Sequence, residues 1–210
     1  MRTHPLQTFD SSYAAPILGL DEVGLGCIAG PIYAAGVILP PDTLILNTLE
    51  DMGATDSKKL TAPARKRIYD FVSKHVPIYR VEMSPSDATE LTSMHLVVSR
   101  LFSRIIYSIK KEVSVATVLV DGNRRSDLRF NHRGIVKGDS KSLTIAVASI
   151  IAKVERDAVM TKLGAELPQY KWENNKGYPT KEHMNALEKY GVSRHHRKAT
   201  LPIRRLLDVD

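Results

Sequence analysis

Four carboxylates stand where an α/β chain commonly keeps its chemistry. Asp21 and Glu22 close a short apolar run at residues 17–21, Asp121 follows a second at 115–120, and Asp139 comes just ahead of a long Ala- and Ile-rich run. Taken singly, each has an ordinary alternative, since an Asp-Glu pair can simply open a turn and an Asp before a helix commonly caps it. Adjacent strand residues point to opposite faces, so Asp21 and Glu22 converge only where the strand ends or bulges. Asp21 and Asp121 meet if their two strands are neighbours in one sheet. Together the four form an oxygen-rich set suited to Mg²⁺ or Mn²⁺. Two such ions held about 4 Å apart suit phosphodiester hydrolysis: one lowers the pKa of the attacking water and the other stabilises the departing oxygen. No side-chain nucleophile is then required. The chain carries no G-x-S-x-G elbow, no phosphate-binding G-x-x-x-x-G-K-[ST] loop and no strand-placed G-x-G-x-x-G.

Apolar patterning supplies the elements that must hold these acids. Residues 17–21 and 32–39 read as strands joined by a glycine-rich turn with Gly24, Gly26 and Gly30, closed by Pro40-Pro41. A polar link containing Asp56-Ser57-Lys58-Lys59 leads to Thr61, an N-cap for a surface helix through residue 74. Residues 78–83 alternate like a strand, and Leu91, Met94, Val98, Leu101, Ile105 and Ile109 recur at helical spacing within 86–111. The run 115–120 reads as a buried strand, 143–163 as a central helix, and 180–190 as a shorter helix stopped by Gly191. The order implies an α/β fold with a central mixed sheet flanked by helices and a helical C-terminal segment. Residues 1–16, with no sustained period, read as a flexible leader, and 17–210 as a single domain. Asp157 lies 18 residues past Asp139, roughly 27 Å along a continuous helix. That excludes it from their metal site and leaves it as an ion-pair partner of Lys153 one turn earlier.

Composition narrows the partner. The 210 residues, 43% hydrophobic, carry 30 Lys+Arg against 23 Asp+Glu, a formal charge of +7 that suits a polyanion. One basic cluster is Arg124, Arg125, Arg129, Arg133, Lys137 and Lys141, and another is His195, His196, Arg197 and Lys198. They read as phosphate contacts or as a solvated face. The single cysteine, Cys27, excludes an internal disulfide framework or a multi-Cys zinc site and reads as a small loop or core residue. No stretch approaches the roughly 20 apolar residues of a membrane span. The expectation is a soluble, cytoplasmic monomer. Tyr178, in a Gly/Pro-containing loop, is either a packing anchor or a stacking surface.

A string of separated motifs resembles ribonuclease HII of the bacterial type. The motifs are Gly19-Leu20-Asp21-Glu22-Val23-Gly24-Leu25-Gly26 with Ala29-Gly30-Pro31, Asp56-Ser57-Lys58-Lys59-Leu60, Asp121-Gly122-Asn123, Lys137-Gly138-Asp139-Ser140, Ala148 to Val154 with Arg156-Asp157, Lys176-Gly177-Tyr178-Pro179-Thr180, and His195-His196-Arg197. They occur in the family's order between residues 17 and about 202. The resemblance implies an RNase H-like fold and a nuclease of RNA/DNA hybrids and of ribonucleotides embedded in DNA. It also implies that Asp21, Glu22, Asp121 and Asp139 form the catalytic set binding two divalent ions. By the same resemblance Tyr178 stacks on a sugar near the junction, Lys58 and Ser140 lie near the phosphates, and Gly24, Leu25, Gly26 and Arg197 belong to the substrate surface. The family has Gly-Arg-Gly where this chain has Gly24-Leu25-Gly26, which removes a cation beside the nucleic-acid backbone and puts the preference for a single ribonucleotide in question. A non-catalytic nucleic-acid-binding domain of the same fold, or another RNase H-like nuclease with relaxed junction choice, remains an alternative. Retention of all four acids argues against the former and the motif string against the latter.

Overall fold

The computed structural model describes residues 4–89, 93–109, 112–123, 128 and 130–207. Its strands are β1 (Ile17–Val23), β2 (Ile32–Ile38), β3 (Ile78–Met83), β4 (Thr117–Asp121) and β5 (Arg133–Ile135), and they form one mixed sheet in the order β3-β2-β1-β4-β5. β1 runs antiparallel to β2 and parallel to β4, with Leu20 opposite Val120. One step further along that register, Asp21 and Asp121 stand side by side on neighbouring strands.

Helices cover both faces. They are α1 (Pro5–Asp10), α2 (Thr43–Asp51), α3 (Ala62–His75), α4 (Pro85–Thr89), α5 (Met94–Ile109), α6 (Leu143–Glu166), α7 (Trp172–Asn175), α8 (Lys181–Tyr190) and α9 (Leu201–Leu207). The buried stripe of α5, with Val98, Leu101, Phe102, Ile105 and Ile109, packs on Leu18, Leu20, Ile32 and Ala34. On the opposite face Ala35 and Val37 meet α6 through Leu143, Val147 and Ile151, with Ile68 and Val72 of α3 behind. A third cluster joins Ile28 and Ala29, just after β1, to Met160, Tyr170, Trp172, Leu187 and Ile203 of the C-terminal helical layer. Among the described residues, no helix is long and apolar enough to cross a membrane.

Gly19 is the contact that fixes α6 against the sheet. A Cβ there would lie 2.6 Å from the Thr144 carbonyl carbon, so only glycine lets the first turn of α6 rest on β1. From that contact, five residues of helix advance about 7.5 Å and two of strand about 6.6 Å, which brings Ser149 beside Asp21.

Several elements differ from expectation, among them β5, which lies in the stretch read only as a basic cluster. Residues 5–10, read as part of a flexible leader, form α1, a helix too short to show a period in sequence. The buried carboxylate of Asp10 accepts from Thr144 N at 2.9 Å and Thr144 Oγ1 at 2.7 Å, capping α6 from outside. Within the stretch read as a polar link, Asp42 caps α2 by accepting from Leu44 N and Ile45 N. The expected helix at 86–111 is observed as α4 and α5, with residues 90–92 and 110–111 outside those described.

Candidate active site

The four acids line one cavity of about 360 Å³ at the C-terminal ends of β1 and β4. β1 runs on to Val23, so Asp21 and Glu22 leave the strand on opposite faces and reach the same cavity at its end. Asp21 is buried on the α6 face and accepts from Glu22 N at 2.8 Å. Asp121 closes β4, and its Oδ1 accepts from Gly138 N at 2.7 Å. That bond folds the turn 137–140 onto the strand end, helped by Lys137 in the left-handed region (φ 55). The turn delivers Asp139 to the cavity. Asp139 does not cap α6; Ser142 does, with Oγ accepting from Ile145 N at 3.2 Å.

Burial first, then repulsion from Glu22 and Asp121, holds the Asp21 carboxyl well above the usual carboxylate range, while Ser149 and Glu22 N pull the other way. Burial likewise raises Asp139, with Asp121 and Asp56 adding to it and Lys58 opposing. Like charges pressed together this way favour a cation between them. Among the described residues no group of three or more His, Cys, Asp or Glu already forms a cage that could hold a metal ion. An open set of carboxylates still fits Mg²⁺, which keeps several waters and takes only one or two carboxylates alongside phosphate oxygens.

Cations face the acids. Lys58, Arg65 and Lys153 line the cavity together with Ser57, Ser149 and Tyr178. Arg65 is anchored by donating Nη1 to the Ser57 and Leu60 carbonyls. Lys153 donates to Asp157 Oδ1 at 2.9 Å, the expected pair, and Arg65 Nη2 lies 3.8 Å from Asp157 Oδ2. Asp157 lies nearer the site than a continuous helix from Asp139 would put it. Asp139 sits on the turn before α6, and the cavity wall reaches Lys153, only one helical turn short of Asp157. Asp157 is absent from the lining and instead holds two of its cations in place.

The expected substrate residues divide. Tyr178 and Lys58 line the cavity, whereas Ser140 stands outside the lining and accepts from Lys59 Nζ at 3.1 Å. Gly26 is exposed, and a Cβ built on it would lie 3.8 Å from Tyr178 Cε1, so loop 24–26 and the tyrosine ring are neighbours. Leu25 packs partly buried against the α5-side core. Arg197 is a correction: it is 2% exposed, and its guanidinium donates to the carbonyls of Gly30, Gly24 and Pro31. Buried, and with three of its five N–H groups committed to these carbonyls, it supports loop 24–31 and is not presented to a phosphate. His196 is also buried, while Arg133, Lys137, Lys141 and Lys198 are exposed; Arg124, Arg125 and Arg129 lie outside the described residues.

Sequence reasoning missed Ser149, Arg65 and Arg156 as supports of the site. Arg156, wholly buried, donates to the carbonyls of Pro31, Lys176 and Ala29, tying the loop after β1 to the loop bearing Tyr178. A signal existed, for Ser149, Lys153 and Arg156 recur at helical spacing and form a polar stripe on an otherwise apolar helix.

Known proteins resemble this chain in sequence and in fold. The family model described as ribonuclease HII matches residues 18–201. A ribonuclease HII from Francisella philomiragia subsp. philomiragia is 41% identical over 192 residues, 91% of this chain and 99% of that protein. The ribonuclease H2 structure from Pyrococcus horikoshii OT3 superposes with a TM-score of 0.73 at 22% identity, covering 92% of this chain and 97% of that one. Bst-RNase HIII in complex with Mn²⁺ gives a TM-score of 0.71 at 16% identity, covering 99% of this chain and 74% of that one.

Proposed function

Because the chain belongs to the ribonuclease HII family, the type 2 ribonucleases H that cut the RNA of RNA/DNA hybrids, we propose that its four carboxylates hold two divalent ions for that hydrolysis. The observation that carries this reading is the meeting of Asp21, Glu22, Asp121 and Asp139 around one cavity at the ends of two adjacent parallel strands. Mg²⁺ or Mn²⁺ held there would lower the pKa of a water and stabilise the departing oxygen. The Mn²⁺ complex of a structural neighbour supports that choice.

The chain's own residues do the rest. Lys58, Arg65 and Lys153 draw the scissile phosphate toward the acids. Tyr178 offers its ring to a sugar at the junction, beside the main chain of Gly24, Leu25 and Gly26, which approaches the ribose 2′-hydroxyl. Exposed Arg133, Lys137, Lys141 and Lys198 meet flanking phosphates. The substrates are RNA/DNA hybrid and DNA containing ribonucleotides, and the proposed acting unit is the monomer. The test is a panel of uniform hybrid, single-ribonucleotide duplex, double-stranded RNA and double-stranded DNA, each with Mg²⁺ and with Mn²⁺. Cleavage confined to the first two supports the reading; equal cutting of double-stranded DNA contradicts it.

Leu25→Arg restores the cation that the family carries at this position. The partly buried leucine gives up some packing, at a cost of about 1 kcal/mol in stability, because a partly buried site forfeits only part of a full Leu transfer. The arginine adds a partly exposed charge-assisted contact, so kcat/KM on the single-ribonucleotide duplex relative to the uniform hybrid is expected to rise about fivefold. An unchanged ratio in a folded variant would show that junction choice does not depend on this side chain.

A further inference from the structure

Tyr178 stands in the turn between α7 and α8; its amide donates to the Asn175 carbonyl of α7 at 3.0 Å, and its own carbonyl is held by a buried histidine. That carbonyl accepts from His183 Nδ1 at 2.9 Å. A carbonyl can only accept, so Nδ1 carries the proton and Nε2 of the neutral ring is an acceptor. Two donors converge on that Nε2, Trp172 Nε1 at 3.0 Å and His196 Nε2 at 3.1 Å. The tautomer of His196 follows independently, because its Nδ1 accepts from Ser193 N at 3.0 Å and leaves the proton on Nε2. All the bonds then run in one direction, from Ser193 through His196 and His183 to Tyr178. His183 and Trp172 are 0% exposed and His196 is 2% exposed, so solvent does not compete for these bonds. Burial lowers both histidines, His196 to about 4, which keeps the chain neutral at ordinary pH. The other bond to the Tyr178 carbonyl, from Thr180 N at 2.8 Å, spans two residues and reaches the N-cap of α8, whereas the His183 bond comes from within that helix.

We propose that His183 is a positioning residue: its Nδ1–H fixes the Tyr178 carbonyl, sets the ring beside Gly26, and thereby governs junction choice without touching the substrate. The proposal rests on the reading of Tyr178 as the residue that meets the sugar.

Two substitutions divide the imidazole's functions. His183→Asn places an amide donor near Nδ1 and loses the Nε2 acceptor; His183→Gln keeps a partner for Trp172 and His196 and loses the donor to Tyr178. Trp172→Phe removes a neighbour's bond and leaves the Nδ1 donor intact. The readouts are amide hydrogen exchange at Tyr178 and Thr180, and the ratio of kcat/KM on single-ribonucleotide duplex to that on uniform hybrid, with Tyr178→Ala alongside. For His183→Gln, exchange is expected to quicken about fivefold and the ratio to shift by a similar factor in the direction of Tyr178→Ala, the scale of one lost hydrogen bond. His183→Asn and Trp172→Phe should stay within about twofold of wild type in both, whatever their melting temperatures. The proposal is overturned if Asn and Gln behave alike, if Trp172→Phe shifts the ratio as far as Gln, or if Gln leaves exchange unchanged. Should exchange separate Gln from Asn while Tyr178→Ala leaves the ratio untouched, the positioning of Tyr178 is supported and its substrate role is what falls.

Discussion

Asp121→Asn is expected to lower kcat on an RNA/DNA hybrid by at least about a thousandfold, some 4 kcal/mol of barrier, while the protein stays folded. The amide oxygen can still accept from Gly138 N, the bond that pins the turn 137–140 to the end of β4, so the frame around Asp139 survives. What disappears is one anionic oxygen donor, and a neutral amide is a poor substitute for a hard divalent ion. Repulsion from Asp121 also helps hold Asp21 above its usual range, so removing that charge relieves the buried Asp21. Melting temperature should therefore be unchanged or higher, and Mn²⁺ affinity measured by calorimetry should drop. Near-wild-type turnover by the folded variant would remove Asp121 from the metal site.

Arg197→Met is expected to produce the largest loss of stability, about 3–5 kcal/mol. The substitution removes three charge-assisted bonds, each worth about 1.5–3 kcal/mol before relaxation, and takes the guanidinium from the Gly30 carbonyl, while the Pro31 and Gly24 carbonyls keep their bonds from Arg156 Nε and Cys27 N. In a chain of this size each kcal/mol moves the melting temperature by about 2–4 °C, so a fall near 10 °C or more follows. Arg197→Lys should not rescue it, because a single ammonium cannot span the fork that serves three carbonyls. The same variants decide between the two readings of this residue. A phosphate contact would cost little stability and reduce the slope of log K against log salt by about 0.9. A buried support should leave that slope intact in whatever fraction remains folded, and a wild-type melting temperature with a reduced slope would restore the sequence-based reading.

Arg197 also shows where sequence legibility ends. The strands bearing the acids and the central helix are readable because continuous apolar runs and helical periodicity are local signals, and the convergence of Asp21 with Asp121 needed only that β1 and β4 be neighbours, which they are. Burial of a cationic side chain has no such local signal. Arg197 follows two histidines and precedes a lysine, so it reads as one charge in a solvated cluster until the loop after β1 is folded over it. For Asp157 the pair with Lys153 was readable and the distance was not: counting residues along α6 supplies a length, but the position of the cavity beside that helix comes from the close contact at Gly19. The helix α1 escaped because six residues cannot display a period, and its tie to Thr144 spans 134 residues of sequence.

On the proposed function, ions held by the acids direct water, and not the neighbouring ribose, at the RNA phosphodiester. Its most direct test is end-group analysis of wild-type products from a labelled DNA duplex with one embedded ribonucleotide, in Mg²⁺ and then with excess chelator. Attack by water leaves a 3′-hydroxyl and a 5′-phosphate, so those ends are expected with Mg²⁺ and no cleavage once the ion is removed. A 2′,3′-cyclic phosphate with a 5′-hydroxyl, or cutting that persists in chelator, would contradict it.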